Sequence, residues 1–245
     1  MSDFALGTFA LLDSATAVEL VGFAGFDFVV VDTEHSAATA PFGASLLTML
    51  RAATAGGIPA YVRVRANDPA MIATALDLGC AGVIVPGISS AAEMRDAVAA
   101  ATWQPRGSRG AAPFGRMHRY GFTPLDLERD TRTPLIGPLI ENEAAFSALD
   151  EIAAVDGIGW LWFGHFDLAV SLGKRAPLEP DDEIEAMRDR LHEVARARGI
   201  PAAAFTWNGA TAVQLARRGA RYVAVSADIS LLANALRTVR ADAGR

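Results

Sequence analysis

Short runs of apolar residues recur along the chain and alternate with segments that have the composition of helices. The apolar runs contain little polar alternation, which is typical of strands that are covered on both faces of a parallel sheet. Ser14 is placed to cap one predicted helix, and Asp68 with Pro69 marks the start of another. The predicted strands are 5–12, 26–34, 58–66, 81–87, 133–141, 158–164, 200–205 and 221–227, and the predicted helices are 14–25, 41–57, 68–79, 90–103, 142–157, 180–199, 208–220 and 229–244.

This alternation predicts the fold class. Eight strand–helix units in 245 residues match the usual size of a (β/α)8 TIM barrel, an α/β fold, here a single domain over residues 1–245. A doubly wound open sheet is the alternative, but no GxGxxG motif follows the first predicted strand. Region 104–133 is rich in Arg, Gly and Pro and interrupts the rhythm. A loop of that length in a compact domain is usually either functional or disordered.

Composition narrows the class of protein. The formal net charge is −6, and no basic cluster suggests a nucleic-acid surface. The single cysteine, Cys80, excludes an intramolecular disulfide and fits a reducing compartment. The N-terminus lacks a basic segment before its apolar residues, and no uncharged apolar stretch reaches about 18 residues. We therefore expect a cytoplasmic protein without a signal peptide or membrane span.

Polar side chains follow several of the predicted strands. Because catalytic groups of a TIM barrel lie at the carboxyl ends of its strands, these positions are the candidates for chemistry. The alternative for each is a strand-end residue that merely faces water. The residues are Asp32, Glu34 and His35 after the second strand, Arg63 and Arg65 in the third, Glu141 after the fifth, and His165 and Asp167 after the sixth.

Glu141 and Asp167 follow neighbouring strands and can share a divalent cation. Two carboxylates completed by water and substrate oxygens suit Mg²⁺ or Mn²⁺ better than Zn²⁺. The alternative is that each acid only begins a helix. His35 is a candidate general base, since histidine titrates near neutrality. Arg63, within a strand, is expected to bind an anion or a carbonyl oxygen.

With these residues identified, the chain resembles the HpcH/HpaI family of metal-dependent pyruvate aldolases, such as 4-hydroxy-2-oxoheptanedioate aldolase and 2-dehydro-3-deoxyglucarate aldolase. The likeness spans nearly the whole chain, and the order and spacing of the segments carry it. The segments are LGTFALL, GFDFVVVDTEH, VRVRANDP, ALDLGCAGVIVP, RGSRGA, PLIENEAA, WFGHFDLAVSLG and VAVSADISLLANA.

The resemblance implies a role for each candidate residue. Asp77 would partner His35, and the amides of Phe166 and Asp167 beside Gly164 would hold the carboxylate of pyruvate. The implied catalytic residues are His35, Arg63 and Asp77, the implied metal ligands are Glu141 and Asp167, and the implied substrate-binding residues are Phe9, Asp32, Leu139, Gly164, His165 and Phe166.

The sequence departs from the family pattern in three places. Phe9 stands where the family often has tryptophan, and Leu139 stands where it often has glutamine. The chain reads GHFD at 164–167, where the family usually reads G-P-x-D, so His165 and Phe166 are unusual. The metal and base positions are retained, whereas these departures fall in the family's substrate pocket, so the family's substrate preference is not carried over to this chain.

The resemblance implies an aldehyde-lyase of the class II aldolase type. It would reversibly cleave a 4-hydroxy-2-oxo acid to an aldehyde and pyruvate, or a related 2-oxo acid such as hydroxypyruvate, through an enolate. The implied cofactor is Mg²⁺ or Mn²⁺, with Co²⁺ as a further candidate. Lys174, the only lysine, offers little for a Schiff base. The implied assembly is a homo-oligomer, a hexamer or trimer that exchanges its last helix, and the expected partners are small-molecule substrates rather than nucleic acid or membrane.

Other activities remain open from the sequence. An oxaloacetate decarboxylase or another lyase would use the same enolate. A non-catalytic homologue that binds a 2-oxo acid is a second alternative. A CoA-dependent lyase related to the citrate lyase β subunit is a more distant one, which a test of acyl-CoA cleavage would separate.

Overall fold

The eight strands close into one parallel barrel in chain order. This is a computed structural model, and it describes residues 4–36, 43–125, 135–175 and 180–244. The first strand pairs with the second and also with the last, so the sheet has no edge. Closure confirms the (β/α)8 barrel and excludes the doubly wound open sheet. Among the helices of the described residues, none is long and apolar enough to cross a membrane.

Each predicted strand overlaps an observed one. Most observed strands are shorter than predicted, because their ends turn toward the loops once the barrel pairing stops. The strands are β1 (Ala5–Ala10), β2 (Phe28–Asp32), β3 (Ala60–Arg63), β4 (Gly82–Val85), β5 (Leu135–Ile140), β6 (Leu161–Phe163), β7 (Ala202–Thr206) and β8 (Ala220–Ala227). Arg65 therefore lies beyond β3, where it is exposed.

The helices follow the strands as predicted, with two differences. The helix predicted at 142–157 is two short helices, since the backbone of Ala148 leaves the helical region between them. The short helix α7 was not predicted. The helices are α1 (Ala15–Phe23), α2 (Ala44–Ala55), α3 (Pro69–Asp77), α4 (Ala91–Ala101), α5 (Glu143–Ser147), α6 (Leu149–Ala153), α7 (His165–Ser171), α8 (Asp182–Arg198), α9 (Gly209–Arg217) and α10 (Asp228–Asp242).

Side-chain caps fix where two of the predicted helices begin. The Ser14 hydroxyl accepts a hydrogen bond from the Ala17 amide at 3.2 Å. Asp68 accepts from the amides of Ala70 and Met71 at 2.7 and 3.1 Å. Each such cap stabilises its helix by about 1 kcal/mol. Pro41, predicted near the start of the second helix, lies outside the described residues.

The strands place alternate side chains on two sides of the barrel wall. Val29 and Val31 of β2 pack outward against the helices, whereas Phe28 and Val30 point into the barrel. The same period of two directs the next inward position, Asp32, to the carboxyl end of the barrel interior. The inward series that reach this end are Phe28, Val30 and Asp32; Tyr61 and Arg63; Leu139 and Glu141; Trp160, Trp162 and Gly164; and Ala203, Phe205 and Trp207.

Candidate active site at the carboxyl ends of the strands

A cavity of about 190 Å³ lies where the inward series of side chains end. Seven residues predicted as site residues line it, so the structure brings most of the predicted site together. These residues are Phe9, Arg63, Leu139, Gly164, His165, Phe166 and Asp167. Two more predicted residues, Asp32 and Glu141, contact members of this group.

Arg63 forms the centre of an ion-pair network. Its Nε and Nη2 donate to the two carboxylate oxygens of Asp32 at 2.9 and 2.7 Å, and its Nη1 lies 3.0 Å from Glu34 Oε2. The guanidinium also lies over the ring of Phe9, 5.3 Å from its centre. Burial alone would lower the pKa of Arg63, but hydrogen bonds to Asp32 and the charges of Asp32 and Glu34 raise it overall. The arginine is therefore a fixed positive charge at the cavity.

The Arg63 pairing refines the sequence prediction. The sequence predicts that Arg63 binds an anion or a carbonyl oxygen, and in the structure it is paired with the carboxylates of Asp32 and Glu34. Asp32 is fully buried and opposes Arg63 in the register of β2 and β3, which explains the bidentate geometry. A positive side chain held this firmly can orient toward a substrate oxygen with little loss of conformational freedom.

Glu34 connects this network to the predicted base. Its Oε2 lies 3.6 Å from Nε2 of His35, whose side chain is 62% exposed. Burial raises the pKa of Glu34, and the charges of Arg63 and His35 oppose that rise. The structure thus links His35 to Arg63 through Glu34, a residue that had no assigned role in the sequence prediction. The spacing D-x-E-H is the signal that pointed to it.

Glu141 is the most strongly perturbed carboxylate of the site. Burial raises its pKa to about 7, opposed by a 2.7 Å hydrogen bond from the Gly87 amide and reinforced by the negative charges of Glu34 and Asp167. The positive charge of Arg63 lowers the pKa of Glu141, but it offsets only part of this rise. The mutual effect of Glu34, Glu141 and Asp167 shows that three carboxylates face one region, and such a region favours a cation.

Gly164, the residue after β6, allows the backbone to approach Glu141 closely. A Cβ at this position would lie 2.8 Å from the Cβ of Glu141 and 3.1 Å from Cγ of Leu139. Glycine therefore allows the chain to pass directly beside Glu141 as it enters α7. The first turn of α7 then presents Phe166 and Asp167 to the cavity. Amides in a first helical turn have no partner within the helix, so they can serve a ligand.

The donor set fits a hard divalent cation. Glu141 and Asp167 offer carboxylate oxygens, and Gly87 engages one oxygen of Glu141, which leaves the other available. Over the parts of the chain that the structure describes, no group of three or more His, Cys, Asp or Glu side chains could hold a metal. The protein would thus supply two ligands, which matches the preference of Mg²⁺ for one or two carboxylates with water and substrate oxygens.

Asp77, the predicted partner of His35, lies outside this cavity. It is the last residue of α3 and pairs with Arg109 of the segment after α4. A helix of a β/α barrel returns the chain to the amino-terminal ends of the strands, so Asp77 is at the opposite end from His35. The structure therefore does not bring these two residues together within one chain. The Asp77–His35 partnership stays a prediction, and it requires a second chain.

Several cavity residues had no role in the sequence prediction. Phe205 and Trp207 extend from the end of β7, and Leu11 and Ser230 lie beside the ends of β1 and β8. The alternation of Phe205 and Trp207 in AAAFTWN continues the inward series of β7, and this was the available signal. Aromatic residues at a strand end are usually attributed to the core, which is why the pattern alone did not select them.

Comparisons with known proteins identify the family of this chain. Residues 5–235 match the family model described as HpcH/HpaI aldolase/citrate lyase. The chain is 34% identical to the hydroxypyruvate/pyruvate aldolase of Rhizorhabdus wittichii, over 98% of this chain and 94% of that protein. It is also 34% identical to the 2-dehydro-3,6-dideoxy-6-sulfogluconate aldolase of Pseudomonas putida, over 93% of this chain and 88% of that protein.

A solved structure has nearly the same backbone. The crystal structure of an HpcH/HpaI aldolase/citrate lyase family protein from Burkholderia cenocepacia superimposes with a TM-score of 0.91 at 27% identity. The match covers 100% of this chain and 96% of that one. The similarity thus extends over the complete barrel.

Proposed function

This chain belongs to the HpcH/HpaI aldolase/citrate lyase family, and on that premise we propose that it is a divalent-metal-dependent aldolase. It reversibly joins pyruvate, or a related 2-oxo acid such as hydroxypyruvate, to an aldehyde and forms a 4-hydroxy-2-oxo acid. The observation that carries the proposal is that Arg63 and Asp167 line one cavity, and that the charges of both act on the buried carboxylate of Glu141. A relative that matches over 98% of this chain is named hydroxypyruvate/pyruvate aldolase, which supports the choice of 2-oxo acid.

Two positive charges would act on the substrate, a cation at the proposed metal site and the guanidinium of Arg63. Glu141 and Asp167 would hold Mg²⁺ or Mn²⁺, which when bound polarises the keto group of the 2-oxo acid. Arg63 stabilises the negative charge that develops on the same oxygen, and its orientation is already set by Asp32 and Glu34. The amides of Phe166 and Asp167 beside Gly164 hold the substrate carboxylate.

His35 is the proposed general base that transfers protons between the substrates and water. In the addition direction one proton leaves the methyl carbon of pyruvate, that carbon bonds to the aldehyde carbon, and the aldehyde oxygen takes up a proton to become a hydroxyl. His35 reaches these positions through water, because its side chain is 62% exposed at the rim of the site. Its contact with Glu34 keeps the ring near Arg63.

Asp77 acts on His35 from a neighbouring subunit in this proposal. Its side chain is 32% exposed at the opposite end of the barrel, so a second chain can reach it.

The last helix supports assembly independently, since α10 exposes a set of large apolar side chains that a monomer would leave in water. They are Ile229, Leu231, Leu232, Leu236 and Val239.

The assembly is proposed to be a homo-oligomer, a hexamer in keeping with the family resemblance, and the compartment is proposed to be the cytoplasm. The free Cys80 is compatible with a reducing environment. Small molecules are the expected partners.

Release of pyruvate from a 4-hydroxy-2-oxo acid tests the proposed function. Metal-stripped protein should be inactive, and Mg²⁺ or Mn²⁺ should restore cleavage. Pyruvate is followed with lactate dehydrogenase and NADH. Equal cleavage by protein kept in excess chelator would contradict the proposal. Decarboxylation of oxaloacetate without any aldol cleavage would replace the aldolase with another lyase.

A further inference from the structure

Aromatic rings line one side of the cavity. We call this set the aromatic wall; it comprises Phe9, His165, Phe166, Phe205 and Trp207. Neighbouring ring centres are 5.8 Å apart for Phe9 and Phe205, 5.0 Å for Phe205 and Trp207, and 4.0 Å for His165 and Phe166. Each ring packs on the next, so the wall is formed before any ligand arrives.

The aromatic wall faces the charged residues across the barrel. Phe205 and Trp207 extend from β7, which is four strands from β3 in a barrel of eight and therefore opposite Arg63. Phe9 joins the two sides, since its ring contacts both Phe205 and the Arg63 guanidinium. A molecule between the two sides would have one end at the cation and Arg63 and the other against rings.

The aromatic wall leaves ring surface uncovered inside the cavity. Phe166, Phe205 and Trp207 are only half-buried although all three line it. Large apolar side chains that face a concave site instead of packing against the protein are typical of a place for an apolar ligand group. An aromatic ring placed there would make edge or offset contacts with neighbours already spaced for such packing.

The charged residues of the cavity disfavour an aldehyde that carries its own negative charge. Among the described residues that line the cavity, Arg63 and Asp167 are the charged ones. Arg63 is held by Asp32 and Glu34, and Asp167 belongs to the proposed cation site. Among the described lining residues, no further Arg or Lys lies against the aromatic wall to pair with the carboxylate or phosphate of an aldehyde. Burying such a charge without a partner is costly.

We propose that the aldehyde partner of this enzyme is aromatic or otherwise apolar, with its side chain packed against the aromatic wall. The inference rests on the proposed function and adds its substrate class. With benzaldehyde, the methyl carbon of pyruvate loses one proton and bonds to the aldehyde carbon. The aldehyde oxygen gains one proton, and the product is 4-hydroxy-2-oxo-4-phenylbutanoate.

Comparison of three aldehydes tests the inference. With pyruvate and Mn²⁺ fixed, kcat/KM is measured for benzaldehyde, for glycolaldehyde as a hydroxylated acceptor and for glyoxylate as a charged one. Benzaldehyde is expected to exceed both by at least about tenfold, the scale of one or two aromatic contacts. A preference for glyoxylate or glycolaldehyde would overturn the inference and leave the aldolase proposal intact.

The variant Trp207→Leu tests whether the preference for benzaldehyde depends on the aromatic wall. Trp207→Leu keeps an apolar side chain but removes the ring, and the ratio of kcat/KM for benzaldehyde over glycolaldehyde is expected to fall about tenfold. Phe23→Leu, an exposed ring on α1, is the matched control and should leave the ratio unchanged. Because the measured quantity is a ratio, partial misfolding of a variant does not imitate the effect. An unchanged ratio in Trp207→Leu would contradict the assignment.

Binding without metal separates this inference from the proposed function. Protein in excess chelator is mixed with benzaldehyde or glycolaldehyde, and saturation-transfer NMR reports which signals contact the protein. Transfer to the benzaldehyde ring, weakened in Trp207→Leu and retained in Phe23→Leu, supports the aromatic wall even if no aldol chemistry occurs. Equal transfer in all three proteins would overturn it. If the aldolase proposal itself is wrong, no pyruvate is released from a 4-hydroxy-2-oxo acid with any of the metals.

Discussion

Asp32 and Arg63 oppose each other on neighbouring strands and form both contacts of a bidentate ion pair, at 2.9 and 2.7 Å. Asp32 is fully buried, and the Arg63 side chain is 13% exposed. The pair therefore does more than balance charge, since the carboxylate fixes the plane of the guanidinium at the cavity. Arg63 can act on a substrate oxygen only if this orientation persists.

Asp32→Asn should lower both stability and catalysis. Removing one partner of a buried pair typically costs about 3 kcal/mol or more of the free energy of unfolding, because the other charge stays buried. Urea unfolding measures the loss. Asp150→Asn removes the carboxylate from an exposed pair with Arg190 and is expected to cost less than about 1 kcal/mol. Similar losses in the two variants would show that Asp32 does not hold Arg63.

Metal affinity should depend on pH through Glu141. Its pKa, raised to about 7 mainly by burial, means that a proton occupies the carboxyl below pH 7 in the metal-free protein. A cation must displace that proton, so affinity is expected to rise with pH toward 7 and to level off above it. Calorimetric titration with Mn²⁺ at several pH values checks this.

Two variants test the role of Glu141 in that titration. Glu141→Gln should abolish tight Mn²⁺ binding, whereas Glu143→Gln, an exposed acid in the first turn of α5, should preserve both affinity and its pH dependence. Unaltered binding by Glu141→Gln would remove Glu141 from the cation site.

Gly164→Ala should disturb the site through a steric clash. The added methyl would lie 2.8 Å from the Cβ of Glu141, so either α7 or Glu141 must shift. Overpacking of this kind typically destabilises by about 1–3 kcal/mol, and Mn²⁺ affinity should fall with it. Gly209→Ala is the control, since a Cβ there meets no atom within 4 Å. Wild-type metal affinity in Gly164→Ala would mean that the close approach has no function.

Asp77 and His35 should complement each other across subunits. Asp77→Ala and His35→Ala are each expected to slow aldol cleavage strongly. If Asp77 serves a neighbouring chain, subunits exchanged between the two variants should form some sites with both residues intact and recover part of the activity. Mixing after mild dissociation and reassociation tests this. Absence of recovery, with exchange of subunits verified by mass, would contradict the intersubunit role.

Much of the fold was predictable because the strands are buried on both faces. Runs such as the one that ends at Asp32 contain little polar alternation, and eight of them with helices between predict a barrel. Helix α7 was missed because its seven residues follow directly on β6, and so short a segment has little periodicity. The division of 142–157 into two helices depends on the backbone at Ala148, which no residue type in the segment specifies.

The candidate site was predictable where charged residues end strands. Arg63, Glu141 and Asp167 were identifiable for that reason; Arg63 and Asp167 line one cavity, and the charges of both act on Glu141. The pairing of Arg63 with Glu34 was not, because it depends on how the chain turns after β2. Phe205 and Trp207 were missed since the same residue types fill barrel interiors, and only the cavity distinguishes the two uses.

Glu141 and Asp167 are proposed to hold a cation that promotes formation of the pyruvate enolate. Exchange of the pyruvate methyl protons in D₂O, followed by NMR, tests this directly and requires no aldehyde. Wild-type protein with Mn²⁺ or Mg²⁺ should exchange these protons, and metal-stripped protein and Glu141→Gln should not. Exchange that persists in excess chelator, or that is equally fast in Glu141→Gln and in Glu143→Gln, would contradict the claim.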